Sequence, residues 1–494
     1  MRRSIALLVL ATSCFHGTAS AQRPPYPPTA ITLRPSAGPQ PALRYHLVPE
    51  RRTLVPGNAA IFYHRGIQFV SQTRTSLADP KRVDPVSGIA TEEQIALWLN
   101  EPLAEIPRDK VEKVLETFKQ SLTEAELGAT RSHCDWELDN RTEGITLMIP
   151  EIQEMRSLAR LVALRARLAT IDGKTDEAMH WIETGMVMGR HIAQGPILVQ
   201  YLVGVAIDSL MVRGIEDLIQ APGTPSLYWA LADRPRPFID LRESLEGERY
   251  ALENEFPGLL DLDRGPWGLE QARKFSGQLQ KKLFAIASDT ALPGDENSMP
   301  NAMPAAGRRL GVAAMSAKIY PEASRALIAQ GLPKEQVEAM PVVQVAALYC
   351  YREYKRLRDE TYKWMNVPYW QSYDRPKPHE MHTAEQKLAN PLLTMFRLLD
   401  SPLDSIRLAS LRVDRRLDAL QCIEAIRLYA AAHDGKLPES LEAMKEAPAP
   451  LDIATGKPFL YKVEGDSATL SAPVPPGAPD HPLYAIRFAL KLAR

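Results

Sequence analysis

Hydrophobic side chains recur at intervals of three and four along most of the chain, a period that predicts helices rather than strands. The clearest run lies in 150–220. Ile152, Met155, Leu158, Ala159, Val162 and Ala166 share one helical face, and Asp172-Gly173 closes that helix because glycine reaches the left-handed conformation cheaply. A second helix restarts at Asp176, carries Ile182, Met186 and Ile192, and stops at Gly195-Pro196. The third, Ile197 to Ile219, is apolar nearly all round except for Gln200 and Asp208. Its uninterrupted apolar stretch is too short to cross a hydrocarbon core, so it is read as a helix buried among helices.

The same period places further helices on both sides. Asn58 is positioned to cap a helix carrying Phe62, Tyr63 and Ile67, with a strand over 60–70 as the alternative. Thr91 with Gln94 suits a capping box ahead of Ile95, Leu97 and Trp98, and Val111, Val114, Leu115 and Phe118 form a stripe after Pro107. Helical spacing continues through 241–255 and 269–287, then through 321–330, 334–340 and 342–365. Near the end, a long helix over 403–432 stops at Asp434-Gly435. It is followed by Ser440-Leu441-Glu442 and by alternating Phe459, Tyr461 and Val463, a turn at 464–466, and a returning strand at 468–471. A long helix can bury its apolar stripe on so small a sheet, which neither piece could do alone.

Composition adds organisation. The chain opens with Arg2-Arg3, an apolar run from Ile5 to Ala11 and Ala19-Ser20-Ala21, the form of an export signal. A lipobox ending at Cys14 is the minority alternative to a free exported chain. Removing residues 1–21 leaves 57 basic against 60 acidic residues, a net charge of −3, which offers nothing for nucleic acid or an anionic membrane. There are 41 prolines in 494 residues, well above the usual share of about 5%. The expected division is a signal at 1–21, a disordered Pro-rich tether at 22–42, a helical array at 43–287 and a flexible linker at 288–307. A second helical region at 308–400, a helix-plus-hairpin module at 401–475 and a tail at 476–494 follow. The fold class is mainly α, an antiparallel solenoid-like array with a small C-terminal β-hairpin.

Three resemblances sharpen this. Gly173-Lys174-Thr175-Asp176-Glu177-Ala178, with small Ala166 and Gly185, resembles the turn of one tetratricopeptide hairpin. Leu428-Tyr429-Ala430, His433, Gly435, Pro438, Asp452, Gly456, Pro458 and Tyr461 resemble the globular end of a type II secretion major pseudopilin. The pilin's hydrophobic first helix and acidic calcium loop are missing, and one residue is added between Asp452 and Gly456; the resemblance implies a structural module, not a filament. Gly57-Asn58-Ala59-Ala60, HCDWELD at 133–139, SLYWALADRPRP at 226–237 and the aromatic-basic stretch 351–370 together resemble exported helical proteins of planctomycete type. That resemblance implies export and a helical fold and brings no activity with it.

Candidate chemistry is sparse. His133-Cys134-Asp135 holds the residue types of a cysteine hydrolase, but adjacent side chains do not face one another, so Cys134 reads first as a packing thiol beside Trp136. His379, His382 and Glu385 recur every three residues and could share one metal, but this is not HExxH, and the helix start after Pro378 disfavours a cation. Met179, His180, Met186, Met188 and His191 suit Cu(I) chemically but scatter around the helix. Asp208 on its apolar helix must find a partner, stay neutral or face a cavity; a structural ion pair with another helix is the first expectation, ahead of a functional acid. Cys134, Cys350 and Cys422 allow at most one internal disulfide. The reading that follows is an exported, non-enzymatic scaffold of the periplasm or cell envelope, without cofactor or membrane span after signal removal, holding a protein or peptide partner. The alternatives are a hydrolase using Cys134 or a His379/His382 metal site, and an accessory part of an envelope secretion apparatus.

Overall fold

A computed structural model describes residues 27–77, 92–138, 151–290, 305–375, 390–397 and 403–493. The leader with Cys14, the capping residue Thr91 and the trio His379, His382 and Glu385 lie outside these residues. The protein is mainly helical with a small strand module built around its C-terminal part.

The chain starts in a strand, β1 (Thr29–Leu33), then passes through β2 (Val55–Asn58) into α1 (Ala59–Leu77). Asn58 is the cap: its Oδ1 accepts from the Ala60 N–H at 3.0 Å, so the helical alternative holds for 60–70 and the strand alternative falls. After α2 (Glu92–Trp98), α3 (Arg108–Thr117) and α4 (Lys119–Ala129), a short β3 (Arg131–His133) pairs in parallel with β2. Three helices then form the centre: α5 (Glu151–Ile171), α6 (Thr175–Ala193) and α7 (Leu198–Leu218). Gly173, at φ +69°, ends α5, with its N–H donating to the Thr170 carbonyl and that of Lys174 to Ala169, the hydrogen-bond pair of a Schellman motif.

Among the described residues, α7 is the one helix long and apolar enough to cross a membrane, with a mean hydropathy of 1.5. Here it is packed inside the protein, against α5 and α6 on one side and a later helix on the other. Glycine sets how close α6 comes. A methyl at Gly185 would strike Met211, one at Gly189 would strike Asp208, and one at Gly204 would strike the Gly189 carbonyl. Because α5 also touches α7, the three helices close on one another as a bundle does.

Beyond α8 (Tyr228–Ala232) and α9 (Arg242–Arg249) the apolar side chains change core. Leu245 belongs to the first core, whereas Leu252 begins a second one that includes Phe256, Phe275, Ile319, Val345 and Phe396. It is built by α10 (Ala251–Glu255), α11 (Leu269–Thr290), α12 (Ala305–Ala329), α13 (Lys334–Ala339), α14 (Val342–Tyr362) and α15 (Pro391–Arg397). The expected division at 288–307 is therefore corrected. The helices on either side of it share one core, so the change of core does not fall there. The change of core falls near residue 250, where helical spacing continues and only the packing partner differs.

The chain returns to the first core along α16 (Leu403–Ala432), which lies on α7 and α8 and meets the strands that follow. These are β4 (Leu451–Asp452), β5 (Lys457–Pro458), β6 (Leu460–Glu464), β7 (Ser467–Ala472) and β8 (Ile486–Leu492). The main sheet runs β1-β8-β7-β6, with β6, β7 and β8 antiparallel and β1 parallel to β8. Two expectations are overturned at this point. Residues 29–33 of the supposed tether are an edge strand, with Ile31 2% and Leu33 1% exposed, and residues 486–492 of the supposed tail are an interior strand. Proline-rich flanks mask the alternation of Thr-Ala-Ile-Thr-Leu, whose partner strand lies at the other end of the chain. The Thr32 N–H donates to Gln220 Oε1 at 3.0 Å and Arg34 Nε to the Gln220 carbonyl at 3.1 Å, fastening the segment to the end of α7.

The buried position of β1 is checked by Ile31→Ala. Truncating a core isoleucine should cost about 2–5 kcal/mol in denaturant unfolding, while a tether residue at that place would leave the midpoint unmoved.

Candidate functional site

After β1 the chain is clamped rather than free. The Ser36 hydroxyl donates to the Thr224 carbonyl at 2.9 Å, the Ser226 N–H donates to the Ala37 carbonyl at 2.9 Å, and Leu47 is 2% exposed in the first core. Between these anchors the segment crosses the α5–α6 turn and the loop at 223–225, leaving an open groove of about 680 Å³. Arg44 and Tyr45 form one wall, Lys174, Asp176 and Glu177 at the start of α6 the other, and Pro225 the floor. Asp176 joins the walls, accepting from Arg44 Nη2 and from the Tyr45 hydroxyl, both at 2.7 Å. Burial and that hydrogen bond push the Tyr45 phenol up to about 12, so it stays a donor at neutral pH. Lys174 Nζ lies 3.6 Å from Glu177. These exposed pairs hold only weakly in water and can exchange partners at little cost. Sequence reading missed Arg44 and Tyr45; the available signal was a basic-aromatic pair directly after a proline-rich stretch.

The His133-Cys134-Asp135 run does not assemble a triad. His133 and Asp135 are exposed while Cys134 is buried, as alternation requires. Asn58 holds the turn: its Oδ1 also accepts from the Asp135 N–H at 2.9 Å, and its Nδ2 donates to the Asp135 carbonyl at 2.7 Å. Burial, reinforced by Asp135, raises the Cys134 thiol far above its ordinary value, the opposite of what a thiolate nucleophile needs. Next to it, the Tyr63 hydroxyl and His191 Nδ1 share a 2.9 Å hydrogen bond, and Trp136 Nε1 donates to the His191 carbonyl at 3.2 Å. Burial drives the His191 imidazole down to about 4, with Arg190 adding to the effect, so it is neutral at physiological pH. Cys134, Cys350 and Cys422 are all free and buried.

Asp208 corrects the expectation of an ion pair. It is 0% exposed, and neither carboxylate oxygen has a hydrogen-bond partner among the described residues. Arg213, five residues on, turns to Asn100 and the Leu99 carbonyl instead. The opposing charge that acts on Asp208 is Arg190 on α6, but this guanidinium donates to the Phe238 carbonyl. Burial dominates and raises the carboxyl well above its ordinary value, and nearby Asp414 adds to the rise. Burial therefore favours the neutral form of Asp208 over the charged one. Gln200, on the same helix and also 0% exposed, likewise has no partner for either amide atom among the described residues.

The sulfur and imidazole groups of α6 do not converge. Met179, Met186 and Met188 are buried core filler, His180 Nε2 pairs with Glu126 at 2.7 Å, and His191 pairs with Tyr63. Among the described residues no group of three or more His, Cys, Asp or Glu side chains is placed to hold a metal ion. The aromatic stretch of α14 packs between helices, with the Tyr351 hydroxyl on Glu253 and that of Tyr349 on Glu322, each at 2.8 Å. No protein-family model, curated protein or solved structure matches the chain.

Two tests follow from these environments. A carboxyl raised on folding leaves stability intact below its ordinary value of 3.8 and removes it as pH climbs toward the raised value. Asp208→Asn should therefore lose less stability than the parent as pH rises above that ordinary value; parallel curves would mean an ionised, paired Asp208. Native Cys134 should resist alkylation by iodoacetamide at neutral pH and react once the chain is unfolded, as read by peptide mass. Rapid labelling of the folded protein would restore the nucleophile.

Proposed function

We propose that this protein is an exported, non-enzymatic scaffold of the periplasm or cell envelope. Its antiparallel helices serve as an array, and the groove between the 39–45 segment and the α5–α6 turn receives a protein or peptide partner. One observation carries the reading: a groove of about 680 Å³ assembled from three remote segments, with charge pairs at its rim free to exchange. Such a rim offers a polar chain both donors and acceptors. The globular module at the end contributes by holding the N-terminal wall in place through β1. Export rests on the form of residues 1–21.

The test is capture from envelope extract by the mature chain, compared with Arg44→Glu/Lys174→Glu and with Lys334→Glu, an exposed charge reversal on α13 far along the chain. A partner retained by parent and control but weakened about tenfold or more by the groove variant, roughly 1.4 kcal/mol, supports the proposal. Equal capture by all three removes the groove from the function.

A further inference from the structure

We propose that the free edge of the C-terminal sheet pairs with the same edge of a second copy of this chain. This is independent of the groove, since it stands on the opposite feature of the fold: β6 ends the sheet order β1-β8-β7-β6. At the other edge, the Thr32 N–H of β1 is already taken by Gln220 Oε1.

The turn at Gly465-Asp466, with Gly465 at φ +61°, joins Glu464 directly to Ser467 as paired residues. A two-residue hairpin makes that pair hydrogen-bonded, and alternation then points the backbone groups of Leu460, Lys462 and Glu464 at β7. Those of Tyr461 and Val463 point outward, a ready template for another strand. The side chains follow the pleat. Tyr461 and Val463 face the core, while Lys462 and Glu464 stand on the solvent face with side chains 76% and 70% exposed, next to Leu460 at 64%; within the chain Lys462 Nζ lies 2.5 Å from Glu464 Oε1, an exposed pair that exchanges for a cross-copy pair at little cost.

A charge on an edge strand ordinarily blocks pairing. Here two opposite charges lie two residues apart, so the effect depends on register. Antiparallel two-fold pairing centred on Lys462 sets lysine against lysine, which is repulsive. Centring on Tyr461 leaves Glu464 opposite Pro458. Centring on Val463 places Lys462 of each copy across from Glu464 of the other, twice, while the Val463 backbones bond to one another. Charge complementarity thus selects a second copy and one register, giving a continuous eight-stranded sheet with β1 at each end. In that register only Lys462, Val463 and Glu464 of each β6 overlap, while Tyr461 meets the turn residue Gly465 of the other copy; this is far below the roughly 1,200–2,000 Å² of a stable interface, so the dimer is weak and concentration-dependent.

Sedimentation velocity of the full chain over a concentration series tests this. The parent should dimerise; Glu464→Lys and Lys462→Glu, each alone, should weaken association at least tenfold. An equimolar mixture of the two should recover the dimer, because each then meets its opposite, and the double swap Lys462→Glu/Glu464→Lys should dimerise like the parent. Recovery in the mixture also shows that both variants are folded. A parent that stays monomeric, single variants that associate as the parent does, or a mixture that fails to recover would each overturn the proposal, as would an edge that binds only a foreign strand.

Discussion

Charge buried on α16 is the constraint on which the rest of the structure depends. Arg407, Asp414, Arg415, Asp418, Glu424 and Arg427 are each less than a tenth exposed, and a buried ion left without a partner costs about 3–5 kcal/mol. Their partners come from the N-terminal segment, the stretch at 224–238, residues 367–372 and the C-terminal sheet region. Arg415 forks onto Asp452 with two 2.8 Å bonds and also reaches the Pro473 carbonyl. Arg234, before α9, bonds to Asp418, and the Phe238 N–H donates to Asp414 at 3.1 Å. Arg427 joins Glu424 to the carbonyls of Arg34 and Thr224, while Glu424 accepts from the Leu227 N–H. Each pair adds little net stability, but only one assembly of sheet, loop and N-terminal segment satisfies them all.

This explains the role of Asp452, Gly456 and Pro458 near the end. Asp452 faces inward, fully buried, and besides Arg415 it accepts from the Ala454 N–H at 3.0 Å and the Thr455 hydroxyl at 3.1 Å. Gly456, at φ +67°, lets the chain turn there. The run of Asp452, Gly456 and Pro458 is thus a device that delivers a carboxylate to a buried arginine and starts the sheet. The same clamp draws in both ends of the first body: β8 supports β1, and β1 leads into the wall of the groove. A helical body with its own core hangs between α9 and α16, so the first core closes from segments far apart in sequence.

Asp208 and Gln200 stand apart from this economy. Along α16 the buried charges named above each meet a donor or acceptor, whereas on α7 two fully buried polar side chains, Asp208 against Gly189 and Gln200 against Gly195, have none among the described residues. Close approach of α6 and α7 at Gly189 and Gly204 leaves the side chains little freedom to turn, and Arg190 is already spent on Phe238. The seam is held by packing, and burial there favours the uncharged form of the acid.

What the sequence by itself determined is local. Helical period, the Asn58 cap, the Gly173 and Asp434-Gly435 stops, and the β6–β7 hairpin all follow from neighbours a few residues apart, and so does the burial of Cys134 between two exposed residues. The trio at His379, His382 and Glu385 is as legible as it ever was and lies beyond the described residues. Only the tertiary structure decided which core each helix joins, that Thr29–Leu33 is a strand, that Asp208 has no hydrogen-bond partner among the described residues, and where Arg44 and Tyr45 form a groove. The reason is range: periodicity reports the face a side chain turns, but strand pairing across the whole chain, partner choice for a buried charge and the walls of a groove are set by contacts hundreds of residues away.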